Sequence, residues 1–118
     1  MVELHQQSDA VEASELTPRQ RHILRVVVQE YVVAADPVGS ETVRRLGDMD
    51  VSSATIRNEL SQLEDWGYLH QPHTSAGRVP TVAGYRYFVE QLMGEVTLPV
   101  EQQRTIRHQF HQMGLNLG

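Results

Sequence analysis

The fold class this sequence predicts is mainly α with a small β-ribbon. Three observations predict it: a long amphipathic helix opened by a capping box, two further helices joined by a tight turn, and a short extended segment doubled back through "PHTSAGRVP". At 118 residues the chain has enough sequence for one domain with a modest core. It has no cysteine, so disulfides and thiolate metal sites are excluded, which fits a cytoplasmic protein.

Residues 1–15, "MVELHQQSDAVEASE", carry four acids and no basic residue. That composition predicts a disordered acidic leader. Lacking both a basic flank and an apolar stretch, it is no signal peptide. Residues 16–93 then read as the folded domain. Thr17-Pro18-Arg19-Gln20 supplies a capping threonine, a proline at the first helical position and a glutamine where a capping box requires one. Ile23, Leu24, Val27, Tyr31 and Ala34 follow at helical spacing and make one apolar face. Ala35-Asp36-Pro37 ends this helix, because the residue before a proline is pushed out of helical geometry.

A short second helix is expected from Ser40 to Leu46, with Ser40 as cap, Glu41 near the positive end of the dipole, and Val43 and Leu46 buried. Gly47-Asp48-Met49-Asp50 is a turn. The third helix starts at Ser52 or Ser53 and runs to about Trp66, with Gly67 closing it. From Tyr68 to His73 the pattern becomes extended, Thr74-Ser75-Ala76-Gly77 turns it, and Arg78-Val79 returns; proline in both arms marks edge strands. Thr81 caps a fourth helix that buries Val82, Tyr85, Val89 and Leu92, with Phe88 beside them. Residues 94–118 read as a linker, Gly94 to Pro99, and the beginning of a following helix. That helix is weakly amphipathic through Ile106, Phe110 and Met113. Three helices, a ribbon with a projecting turn and another helix make a winged helix–turn–helix.

The net charge of −5 is unevenly spread, since residues 17–93 carry eight arginines against nine acids. The body is near neutral, so charge argues neither for nor against nucleic acid. Every basic residue is arginine, whose planar fork can grip a phosphate or a guanine edge with two bonds. On a helical projection of the third helix, Leu60, Leu63 and Gly67 fall within about 40° of Ile56. The outward face is then Ala54, Asn58 and Ser61, flanked by Thr55, Arg57 and Gln62.

Arginine pairs with guanine and asparagine with adenine in a major groove, so Thr55, Arg57 and Asn58 are the candidate base readers. Ser52 and Ser53 at the helix start, and Thr74 and Ser75 in the turn, are candidate phosphate contacts, with Arg44 beside them. Arg78, at the root of the wing, is expected to enter the minor groove. His70 with His73, and His108 with His111, are pairs too small for a zinc site, which takes at least three protein ligands. No nucleophile–base–orienter set and no phosphate-cradling glycine loop is present. No metal, no cofactor and no catalysis are expected. A winged helix can also serve as a protein-interaction module or an RNA binder, since fold does not decide function.

Longer stretches carry more than spacing. "LTPRQRHILRVVVQEYV", "DPVGSETV", "VSSATIRNELSQLEDWGYLHQPHTSAGRVPT" and "GYRYFVEQL" together resemble the N-terminal DNA-binding domain of the heat-inducible transcription repressor family HrcA. The resemblance covers about Leu16 to Met93 and is nearly letter for letter at "SSATIR" and "PHTSAGRVP". It implies a bacterial repressor that binds double-stranded DNA at an inverted-repeat operator upstream of chaperone and chaperonin genes. It also implies a chaperonin that keeps the repressor active, and a homodimer held by a larger C-terminal region. The chain ends at Gly118, so the expectation is a truncated piece whose dimer contacts lie elsewhere. Tethered heads make the second half-site contact intramolecular, so a lone head should bind weakly.

Overall fold

Helix α1 (Pro18–Ala34) begins as its sequence dictates. The Thr17 hydroxyl accepts from the Gln20 amide at 3.0 Å, and the Gln20 side chain accepts from the Thr17 amide at 3.0 Å. The computed structural model describes residues 16–95 and 100–113. The acidic leader 1–15, residues 96–99 of the expected linker and residues 114–118 lie outside the described residues, as does the side chain of Phe110.

Ile23, Leu24 and Val27 are fully buried, as their spacing predicts. Val26 and Val28 are buried too, whereas Ala34 is exposed. The apolar face is wider than one stripe because α1 is the central helix, packed against every other described helix and against the ribbon. It stops at Ala35, which takes a left-handed conformation (φ 59°) and donates its amide to the Tyr31 carbonyl at 2.8 Å.

Helix α2 (Ser40–Leu46) is capped by Gly39 rather than by Ser40, which is already the first helical residue, and no side chain caps this end. Val43 is buried, but Leu46 is 46 % exposed, against the expectation. It sits with Val26, Val33 and Gln102 around a surface cleft. The α2–α3 turn closes with the Asp48 amide on the Arg45 carbonyl (3.2 Å) and the Met49 amide on the Arg44 carbonyl (3.0 Å). Asp48 supplies the left-handed residue (φ 51°) that this helix ending needs.

Helix α3 (Ser53–Asp65) has Ser52 as its N-cap and buries Ile56, Leu60 and Leu63. Its end repeats the same bonding: Gly67 N–H to Glu64 C=O and Tyr68 N–H to Leu63 C=O, both 2.9 Å. Gly67 has φ +89°, a conformation that costs a side-chain-bearing residue about 1–2 kcal/mol.

Strands β1 (Leu69–His70) and β2 (Val79–Pro80) pair antiparallel, Leu69 opposite Pro80 and His70 opposite Val79. Val38 adds a third line of chain by bridging Arg78. Helix α4 (Val82–Tyr87), capped by Thr81, runs on through a π-helical stretch Phe88–Leu92 and a 3-10 turn Met93–Glu95. Tyr85, Phe88 and Leu92 are buried, while Val82 is 41 % exposed rather than part of the buried face.

Helix α5 (Val100–Gln112) packs back onto α1 and α4. Its Ile106 is fully buried, and its Gln109 accepts the Tyr85 hydroxyl at 2.6 Å. Burial pushes the Tyr85 phenol well above its ordinary range, so it stays a proton donor. Three helices, a two-stranded ribbon and the helix that follows are the winged-helix arrangement the sequence predicts. No described helix is long and apolar enough to cross a membrane.

Candidate nucleic-acid interface

The face expected to read bases is the N-terminal half of α3. Three buried residues, Ile56, Leu60 and Leu63, fix its rotation, and that rotation turns Ala54, Arg57, Asn58, Ser61 and Gln62 outward. Arg57 and Asn58 are exposed and have no partner among the described residues. Their hydrogen-bonding capacity is available to a ligand.

The helix tip is more occupied. Ser52 Oγ accepts from the Thr55 amide (3.1 Å) and lies 3.1 Å from the Thr55 hydroxyl, so these two groups serve the cap. Ser53 donates its hydroxyl to Glu41, whose carboxylate also takes a two-point grip from Arg44, with Nε at 3.1 Å. The Arg44 and Ser53 hydrogen bonds hold the Glu41 carboxyl down at about 2, against an ordinary 4.5. Glu41 in turn raises the already high pKa of Arg44. The expected phosphate clamp is therefore neutralised one turn away on its own helix.

In the wing, Thr74 is exposed. Ser75 holds the turn itself: its amide donates to the Pro72 carbonyl (3.1 Å), its hydroxyl accepts from the Gly77 amide (2.9 Å) and its carbonyl accepts from Gln71 (3.3 Å).

Arg78 corrects the expectation of a projecting charge. It is 5 % exposed. Nη1 donates to the Ala76 carbonyl at 2.9 Å and Nη2 to Ser61 Oγ at 3.2 Å. Nε lies 3.0 Å from Glu64 Oε1, close enough for an ion pair but not aligned for a hydrogen bond. The turn does not stand free either. A side chain at Gly77 would meet the Pro37 carbonyl carbon at 2.8 Å and the Val38 nitrogen at 2.9 Å, so glycine is required by close approach and not by its φ. With the turn seated on Pro37 and Val38, the charge beside it is drawn inward.

The structure thus brings Ser52, Ser53, Thr55, Arg57, Asn58 and Arg44 together at one end of the α2–α3 pair. Thr74 and Ser75 stand apart in the wing turn. Arg57 and Ala76 line one cleft between α2, α3 and the wing. Three residues take roles the sequence reading did not give them: Glu41 holds Arg44 and Ser53, and Ser61 and Glu64 hold Arg78. The signal was present as three-residue spacing, Glu41 to Arg44 and Ser61 to Glu64, which puts two side chains on one helical face. Among the described residues no three histidines, aspartates or glutamates come close enough to hold a metal ion.

No protein-family model matches this chain. Individual relatives do. The heat-inducible transcription repressor HrcA of Chloroflexus aurantiacus is 55 % identical over 98 residues, and that of Roseiflexus sp. is 54 % identical over 100. The HrcA of Carboxydothermus hydrogenoformans is 48 % identical over 100 residues. Over the matched residues this chain belongs to the HrcA family. These matches take in 83 %, 85 % and 85 % of the chain but 26 %, 28 % and 29 % of the relatives. The chain spans about a quarter of the length of the HrcA relatives and corresponds to their N-terminal part. HrcA relatives are named as repressors, not enzymes. A crystal structure of a hypothetical protein is 42 % identical with a TM-score of 0.65, covering 72 % of this chain and 27 % of that one.

Proposed function

We propose that this chain is the DNA-reading part of a heat-inducible transcription repressor, with α3 in the major groove and the wing against the neighbouring backbone or minor groove. One observation carries the reading: in a chain 55 % identical to an HrcA repressor, the outward half of α3 presents Arg57 and Asn58 unpaired over a fully buried Ile56. Those two side chains are suited to guanine and adenine edges respectively. Thr55 adds a further base contact. Ser52 and Ser53 position the helix tip on phosphate, Thr74 and Ser75 do so from the wing, and Arg44 joins once it leaves Glu41. Arg78 is not among the groups offered to DNA. Repression needs no chemistry, since occupying the promoter suffices.

The family resemblance, rather than any geometry, supports the finer parts. These are an inverted-repeat operator upstream of chaperone genes, a homodimer in the longer protein, modulation by a chaperonin, and action in the bacterial cytoplasm. A palindromic site mirrors a two-fold protein, one head to each half-site.

The test is fluorescence anisotropy of the chain with a labelled inverted-repeat duplex and a scrambled duplex across a salt series. Salt-dependent binding that favours the repeat is the expected result, and its slope counts phosphate contacts. Equal weak binding to both would remove sequence reading from this chain. No affinity even at low salt would turn the reading toward a protein-interaction module.

A further inference from the structure

Arg78 is the only buried charged residue among the described residues, and a buried guanidinium is tolerated only where partners surround it. Its partners come from three separate pieces of the chain. Ser61 and Glu64 belong to α3, one helical turn apart. Ala76 belongs to the wing turn. Val38, just before α2, exchanges two backbone hydrogen bonds with Arg78, both 2.9 Å. Ser61 also shares its helical face with Arg57 and Asn58, being four and three residues further on. The grip on α3 therefore falls on the face that carries the base readers. Gly77 completes the seat by letting the turn press against Pro37 and Val38.

We infer that Arg78 is a positioning residue: a buried strut that sets where the wing stands relative to the reading helix, and so governs DNA discrimination without contacting DNA. This rests on the reading of α3 as the DNA-reading element. An arginine suits the task because its planar fork meets several acceptors in different directions, whereas a lysine offers one nitrogen. Losing the strut frees the wing to swing while leaving the α1-centred core intact, because the three side-chain partners of Arg78, namely Ser61, Glu64 and Ala76, all lie outside the buried apolar cluster.

Two readouts on the chain test this, using wild type, Glu64→Gln, Arg78→Lys and Arg78→Ala. Glu64→Gln keeps the shape and removes the charge, so it stands in if Arg78→Ala does not fold. Hydrogen exchange of the free chain should speed up at the Val38 and Arg78 amides on the order of tenfold in Glu64→Gln and Arg78→Lys, with α1 amides unchanged. The ratio of affinities for repeat and scrambled duplex should fall on the order of fivefold or more in both, with the salt slope unchanged. A direct DNA contact behaves oppositely. Freeing Arg78 from Glu64 would then hold or raise the ratio, and Arg78→Ala would lower the slope by about one. Either result overturns the strut, as does unchanged exchange at Val38 and Arg78. Should wild type show no preference for the repeat, it is the DNA-reading assignment that falls, and the exchange readout still decides whether Arg78 holds the wing.

Discussion

Arg57 and Arg44 lie on neighbouring helices of one face, yet the first has no partner among the described residues and the second is locked to Glu41. Arg57→Ala should therefore weaken operator binding by about 1–3 kcal/mol and relax preference at one base position. Its thermal stability should stay within about 0.5 kcal/mol of wild type, because an exposed side chain without partners holds nothing in place. Anisotropy and thermal melts on the same sample check both halves. Glu41 carries the pH prediction. Its folded-state carboxyl sits below its unfolded value, so its contribution is complete above about 4.5 and is lost as pH falls through about 2. Wild type should then be slightly more stable than Glu41→Gln near neutrality, and thermal melts between pH 6 and pH 2 should show that advantage shrinking only below about 4.5. An advantage that persists unchanged to the acid end would dissociate Glu41 from Arg44 and Ser53. Of these groups, Arg57 and Asn58 were legible from a helical projection alone. The burial of Arg78 was not, because it depends on a wing folding back onto α3, and no local pattern encodes that approach.

At the scale of the element, helix ends were the most legible features. The Thr17–Gln20 box, the Ser52 and Thr81 caps and the Gly67 stop each act within a few residues, so sequence alone contains the whole interaction. Faces of short helices were less so. Leu46 in α2 and Val82 in α4 were expected inside and are exposed, since two turns of helix give periodicity too little length to choose between adjacent faces. Phe88, read as lying beside the buried face, is fully buried at the start of the π-helical stretch Phe88–Leu92, whereas Val89, expected on that face, is half-buried. Gly67→Ala should destabilise the chain by about 1 kcal/mol, because φ +89° is costly for any residue with a side chain. Urea unfolding measures it, and the reading face should keep its DNA preference if the loss is confined to the α3 terminus.

At the scale of the whole molecule, α5 is the element whose place was least visible. Its apolar residues are few, and what docks it is long-range: Ile106 in the core, and Gln109 on the Tyr85 hydroxyl. Ile106→Ala should cost about 2–5 kcal/mol, the range for emptying a buried aliphatic site. A loss under about 0.5 kcal/mol in denaturant unfolding would mean that α5 rides on the surface. The internal pairing of Arg44 and Arg78 has a consequence beyond geometry. With two of its arginines satisfied from within, a DNA-reading face of the kind proposed would draw less attraction from arbitrary DNA than its arginine count suggests. A reader built this way would dwell only briefly on the genome's vast excess of wrong sequence, leaving more of its copies free to search for the few right ones.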